Sequence, residues 1–342
     1  MKTTCLFIIL SAVFVFSACE NEIPLKVKNN SPKMILNALF EVERDTNYIS
    51  LGLTGLDYVD LIDNAKIKIY VNNELKDEIN KVSLLNYYYN DLKVYKTTLK
   101  FSPGDLVRIE AETPDGKYHA WAEDIVPELI GIENIDTTTY VEKDIWGEYA
   151  HLRIRTTFTD NPGKKNYYRL AITEHKTYHG LSIITEMDSV VVDEYPVELN
   201  IREDIVLNDG RPPLDNSSYP LPETKNQMNI FDDSRLNGSY TLNVSFRLDS
   251  WFSSPWNVEI KQLSRRIKVR LISITEAEFY YLRALNLYVS DNYDDILSQP
   301  IRYPSNVHGG IGIFGISFGT SQTIQLPDYI LMENAPLALK NE

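Results

Sequence analysis

Two cysteines stand in 342 residues. That excludes a disulfide framework and a cysteine-rich zinc module, both of which need thiols in number. Histidine is scarce as well, at five. Basic residues run short of acidic ones: Lys and Arg total 34, Asp and Glu 48, for a formal net charge of −14. A nucleic-acid binder needs a basic face to meet phosphates, so that class is disfavoured. Beyond the N-terminal segment no apolar run approaches the ~20 residues of a spanning helix. No repeat of fixed period suggests a solenoid or propeller.

What remains is ordinary globular material, 43% hydrophobic and 24% charged. At ~100–200 residues per domain the length predicts two domains. Tyrosine is abundant, 22 against 12 Phe and 4 Trp. It favours strands and recognition surfaces.

The first 18 residues read as a lipoprotein signal. Lys2 gives the positive start, and Cys5 to Phe16 an apolar stretch too short to span a bilayer. Phe16-Ser17-Ala18-Cys19 follows the apolar-small-small-Cys pattern of a lipobox. A cut by an ordinary signal peptidase would leave bulky Phe16 at −3, where a small residue is needed. Cys19 is therefore the expected lipidation site, its thiol becoming the lipid thioether. Residues 1–18 are removed on this reading. Glu20 and Glu22 directly after the cysteine suit display on the outer face of a Bacteroidota-type outer membrane. Residues 19–33, with Pro24, Asn29, Asn30 and Pro32, read as a tether.

From residue 34 onward, alternating apolar runs punctuated by turn residues predict strands. Met34 to Val42, Asn47 to Leu53, Ala65 to Val71, Tyr95 to Phe101, Leu106 to Ala111 and Tyr118 to Val126 fit. Ser102-Pro103-Gly104-Asp105 and Pro114-Asp115-Gly116 mark turns. Residues 34–127 are expected to form an immunoglobulin-like or transthyretin-like β-sandwich. A boundary is placed at 127–134 and a second β-sandwich domain over 135–342. There, His151 to Phe158 and Tyr167 to Thr173 read as a hairpin about Asp160-Asn161-Pro162-Gly163. Further runs are Ile183 to Leu199, Tyr240 to Phe246 and Arg266 to Ile274. Residues 203–229, with Pro212, Pro213, Pro220 and Pro222, read as an extended excursion. One amphipathic helix is expected over about 276–290, near the C-terminus. Thr275 and Glu278 give its capping-box spacing, and Leu282, Leu285 and Val289 its apolar stripe. Gly309 to Gly319 reads as a strand with close backbone packing.

Catalytic letters are few. His175 and His179 stand four apart, but in a strand that separates them by ~13 Å. The others, His119, His151 and His308, are scattered, and no zinc motif flanks any of them. Gly315-Ile316-Ser317-Phe318-Gly319 has the spacing of a serine-hydrolase elbow, yet no helix is expected after it. No Gly-Lys-Ser/Thr loop offers a phosphate cradle. Asp160, Asp204, Asp209, Asp232 and Asp233 are the calcium candidates, without a 12-residue calcium-loop spacing. They read otherwise as turn formers. Tyr87-Tyr88-Tyr89, Trp251-Phe252 and Trp256 are candidates for contact with partners or sugars, the alternative being that half of each cluster is core. No catalytic residue, metal site or cofactor emerges.

Several segments in order resemble one family. Cys19 with Glu20 and Glu22 matches its lipidated start. Ala38 lies in a strand like its first, Ser102 to Asp105 is similar to its Pro-Gly-Asp turn, and Ala120 to Pro127 resembles its strand ending in Val-Pro. Phe158-Thr159-Asp160 with Asn166-Tyr167-Tyr168 and Ile230 to Asp233 through Asn237-Gly238 continue the series. Pro304-Ser305-Asn306-Val307 with Gly309-Gly310-Ile311-Gly312-Ile313-Phe314 resembles its C-terminal signature, Val307 replacing an Ile. The family is domain of unknown function 4249, lipoproteins common in Bacteroidota. The resemblance implies an outer-membrane lipoprotein, often encoded beside a TonB-dependent transporter, with no known catalytic activity. It supplies no binding residues.

The expectation is thus a non-enzymatic accessory protein, membrane-bound through Cys19, that partners a TonB-dependent transporter in capturing a ligand. A pilin-like adhesive protein and a surface hydrolase are the alternatives.

Overall fold

Alternation of apolar and polar residues writes most of the strands, because a pleated backbone sends successive side chains to opposite faces. The computed structural model describes residues 31–55, 59–87, 90–144, 147–199, 203–208, 226–248, 258–289, 302–327 and 329–330. The signal peptide, Cys19 and the tether up to residue 30 lie outside them. So do Tyr88, Tyr89, Asp209, the four prolines of the excursion, Trp251, Phe252 and Trp256.

Nine strands precede the expected boundary: β1 (Met34–Glu41), β2 (Asn47–Thr54), β3 (Val59–Leu61), β4 (Lys66–Val71), β5 (Glu74–Ile79), β6 (Ser83–Tyr87), β7 (Asn90–Thr97), β8 (Leu106–Glu112) and β9 (His119–Ile125). The sheet β5-β4-β8-β9 turns Ile67, Ile69, Val107, Ile109, Ala111, Ala120 and Ala122 inward. They meet Met34, Leu36, Ala38 and Phe40 of β1, Ile49 and Leu51 of β2, and Tyr95 of β7. The Ser102–Asp105 turn closes as its letters suggest. Ser102 N donates to Asp105 Oδ2 at 2.8 Å, and Gly104 takes φ +84°. That left-handed conformation favours glycine.

The second half carries β10 (Asn134–Asp144), β11 (Gly147–Thr159), β12 (Tyr167–Ser182), β13 (Asp188–Pro196), β14 (Ile230–Asp232), β15 (Ser239–Arg247), β16 (Val258–Ile274), α1 (Glu276–Val289), β17 (Gly310–Gln325) and β18 (Tyr329–Ile330). A three-stranded sheet, β10-β11-β15, offers Leu152, Ile154, Phe158, Leu242, Val244 and Phe246. Across from it lie Tyr168, Leu170 and Ile172 of β12 and Ile267, Val269 and Leu271 of β16. On the opposite face of β12 and β16, α1 lays Phe279 and Leu282 over Tyr167, Ile230, Ile272 and Ile274. The fold is mostly β and of sandwich type, with one α-helix among the described residues.

Two expectations change. First, β11 and β12 do not form a hairpin. β11 pairs with β10 and β15, whereas β12 pairs with β13, β14 and β16. The Asp160–Gly163 turn carries the chain from one layer to the facing one. Both strands bury one face, and Phe158 meets Tyr168 across the core with ring centroids 5.9 Å apart. Alternation and turn residues look the same in either case.

Second, the division at 127–134 is not a clean break, and Lys33–Glu342 forms one compact unit. One sheet runs β13-β12-β16-β17-β1-β2-β7-β6 through both halves. β17 makes this possible. Its first half pairs in parallel with β1, from Met34↔Gly310 to Glu41↔Ser317. Its second half pairs antiparallel with β16, from Ile274↔Ser317 to Arg266↔Gln325. Val307, Phe314 and Ile316 thereby enter the core of residues 34–127. Close approach is written into this segment: a Cβ on Gly312, which sits at φ +124°, would fall 2.1 Å from Leu36 O.

Candidate functional site

Ser317 is the residue at which β17 passes from one partner to the other. It is paired with both Glu41 and Ile274, and only 4% exposed. Its hydroxyl donates to Phe40 O at 3.2 Å, and its carbonyl accepts from Val42 N at 2.9 Å. The glycines of the Gly-x-Ser-x-Gly letters serve packing. A Cβ on Gly315 would lie 2.8 Å from Glu278 Cβ, and one on Gly319 2.9 Å from Leu271 O. α1 comes before this segment in the chain and β17 runs on through Ser317 to Gln325, so no strand-to-helix elbow forms around Ser317. The letters describe a junction.

A charged cluster surrounds this junction. At the end of β1, Glu41 receives Arg270 of β16 at 2.9 Å and Arg44 at 2.6 Å. Burial alone would raise the Glu41 carboxyl, but these two guanidiniums bring it below the usual range. Glu278 enters from the first turn of α1 and is 4% exposed. Its Oε2 has no hydrogen-bond partner. Desolvation pushes its pKa up to about 8; Arg169 opposes the shift, and Glu41 and Asp124 add to it. The expected capping box is thus put to other uses. Thr275 Oγ1 accepts from Ile316 N at 3.4 Å, tying the helix start to β17, while Glu278 is buried.

Next to the cluster lies a cleft of about 450 Å³. Its wall comes from the end of β9 and the following link (Asp124 to Glu128), the start of β12 (Lys164 to Tyr168) and the β16–α1 corner (Ser273 to Glu276). Burial raises the Asp124 carboxyl above the usual range, against a hydrogen bond from Thr275, and its Oδ2 is buried without a partner. Tyr167 donates to Glu276 Oε1 at 2.6 Å; burial and then that carboxylate push its phenol upward. Two lysines stand beside these acids. Such a wall offers polar contacts of both signs, which suits binding better than any one proton-transfer chemistry. Sequence reading passed over Asp124, Tyr167 and Glu278 as site residues. Nothing in the letters showed that β9 and α1 would meet.

The described calcium candidates are taken up in structural hydrogen bonds, and Asp209 lies outside the described residues. Asp160 accepts from Tyr168 OH and from Asn166 Nδ2, pinning the layer-crossing turn. Asp233 accepts from Asn166 N at 2.6 Å. Asp232 accepts from Ser234 N. Asp204 accepts from Val206 N, Tyr240 OH and Asn243 N, holding the start of the excursion on β15. Among the described residues no three His, Cys, Asp or Glu side chains group to hold a metal.

The histidines are dispersed. His308 stacks on Trp121 at 4.1 Å, His151 stacks on Tyr140 at 5.2 Å, and His175 faces Glu194 at 3.6 Å. His179 borders a shallow groove with Arg266 and Gln325, and His119 is exposed at the start of β9. Tyr87 ends β6, while Tyr88, Tyr89, the 251–256 cluster and the lipidation site Cys19 fall outside what is described.

The C-terminal signature has a structural meaning. Asn306 reaches across to the Phe314 backbone, accepting from its N–H at 2.9 Å and donating to its carbonyl at 2.7 Å. With the glycines it seats β17 between β1 and β16. A family model described as domain of unknown function (DUF4249) matches residues 20–323. The chain belongs to this family. Among curated proteins none matches it. DUF4249 membership by itself assigns no activity to the chain. No helix among the described residues is long and apolar enough to cross a membrane.

Proposed function

We propose that this DUF4249 chain is a lipid-anchored, non-enzymatic accessory protein of the outer membrane that partners a TonB-dependent transporter in ligand capture. The observation that carries the reading is the lipobox Phe16-Ser17-Ala18-Cys19 with Glu20 and Glu22 behind it, followed by a tether and then a folded β body from residue 34. The buried junction role of Ser317 and the structural bonds of Asp160, Asp204 and Asp233 support a binding role over a hydrolytic one. The cleft beside Asp124 is the ligand candidate. An acyl anchor and a compact body on a tether suit a protein that meets a membrane-embedded partner laterally.

The test is co-purification of the tagged native lipoprotein in mild detergent, with partners identified by mass spectrometry. A stoichiometric outer-membrane barrel supports the reading; a free monomer or self-assembly sinks it. Cys19→Ala is expected to move the protein from the membrane to the soluble fraction. An adhesive role is the second reading, favoured by the open edge of β13.

A further inference from the structure

β13 is the terminal strand of the largest sheet. It pairs with β12 from Thr173↔Pro196 to Leu181↔Asp188, and no described strand pairs with its other side. Edge strands are normally blunted by charged residues, by proline, by a bulge or by shortness. β13 has nine residues and a regular register with β12; its one proline, Pro196, is its last residue, and its charges are all acidic. Its even-numbered residues share one face, in the order Asp188, Val190, Val192, Glu194. Val190 and Val192 are each 59% exposed, and both acids are exposed too. At the tip of the same hairpin Ile184 and Met187 are 68% and 69% exposed. An open row of backbone groups beside a bare apolar pair, bracketed by acids, is a template for an added strand.

The charges decide the occupant. In the register that covers both valines of each copy with valine, antiparallel about Val191, Val190 would face Val192, but Asp188 would face Glu194 at both ends. Like charges directly opposite destabilise a strand pair. We infer that the free edge of β13 takes, by antiparallel strand addition, a partner protein segment with two apolar residues on one face and a basic residue at each end of that face. In that register the partner's bases meet Asp188 and Glu194 and its apolar residues cover Val190 and Val192. The inference stands on the sheet edge and does not depend on the lipid anchor.

The probe is the fluorescent peptide Lys-Thr-Val-Thr-Val-Thr-Lys, titrated with the whole protein and read by anisotropy and by amide hydrogen exchange. Saturable binding that weakens with added salt is expected, with new protection confined to residues 188–196. A peptide N-methylated at alternate residues, which keeps the side chains and removes backbone donors, should bind at least about tenfold more weakly. The D188K/E194K variant, altered only at exposed positions, should lose the basic peptide and gain Glu-Thr-Val-Thr-Val-Thr-Glu. Three results overturn the inference: no binding up to ~1 mM, equal binding of the N-methylated peptide, or protection elsewhere. A dimer that protects residues 188–196 without peptide overturns it too, since self-pairing would then fill the edge.

Discussion

Glu278 is a carboxylic acid placed where a carboxylate is poorly tolerated. Its side chain is closed in by α1, β17 and the Glu41 and Asp124 carboxyls, with Arg169 as the opposing cation. The pKa rises from 4.5 to about 8, so the folded protein holds a proton there that the unfolded chain releases. Between those two values unfolding sheds a proton, and stability falls as pH rises. Above about 8 both states are ionised and this contribution is lost. Asp124 acts in the same direction. Denaturant titrations from pH 5 to 9 should therefore show declining stability. Glu278→Gln should flatten that slope and be more stable than the parent at pH 8, by a few kcal/mol at most. An equal slope in the variant would remove Glu278 as its source.

Gly315 and Ser317 make a second residue-scale test. Gly315→Ala drives a methyl to 2.8 Å from Glu278 Cβ and 3.1 Å from Leu39 Cδ2. A loss of about 1–3 kcal/mol is expected from overpacking. Ser317→Ala removes one hydrogen bond to Phe40 O and should cost about 1 kcal/mol. Thermal melts of both variants read the two effects.

At the scale of elements, the layer-crossing turn after β11 depends on Asp160. This carboxylate, 8% exposed, collects the Tyr168 hydroxyl and the Asn166 amide. Asp160→Ala leaves the buried Tyr168 hydroxyl without its acceptor and is expected to cost about 1–3 kcal/mol. Adding Tyr168→Phe to it should cost less than the sum of the two single changes, since the stranded hydroxyl is then gone. Chemical denaturation of the four proteins closes the cycle. Most strands were legible in the letters, because β1, β4, β8 and β16 alternate cleanly over a buried face. β5 and β10 were not. Glu74–Ile79 has mostly exposed positions, and Asn134–Asp144 is largely polar, so neither writes a pattern. Pairing was less legible than the strands themselves. The same alternation serves a hairpin and a crossing between layers, and it misled at β11 and β12. The site was hidden for a related reason: Asp124 and Glu278 are 154 positions apart, and only the packing of β9 and α1 against β17 brings them together.

At the scale of the whole molecule, β17 makes the two halves depend on each other. Residues 34–127 alone lack Val307, Phe314 and Ile316, each worth about 1.5–3 kcal/mol of burial, and leave β1 without its parallel partner. A fragment of residues 34–127 is expected to be unfolded by circular dichroism, and the whole chain to melt in one transition. Two separate melts would show that the halves fold independently.

In the middle of β1, the Asn37 side chain accepts from the N–H of Ile313, 276 residues further along the chain. The ordering in time is therefore severe. A polypeptide emerging from its N-terminus presents β1 long before β17 exists, and the first core stays open until nearly the last strand arrives. Pairings so distant in sequence are slow to form and leave apolar edges uncovered meanwhile. The edge of β1 that β17 covers is thus unpaired through most of the chain's synthesis.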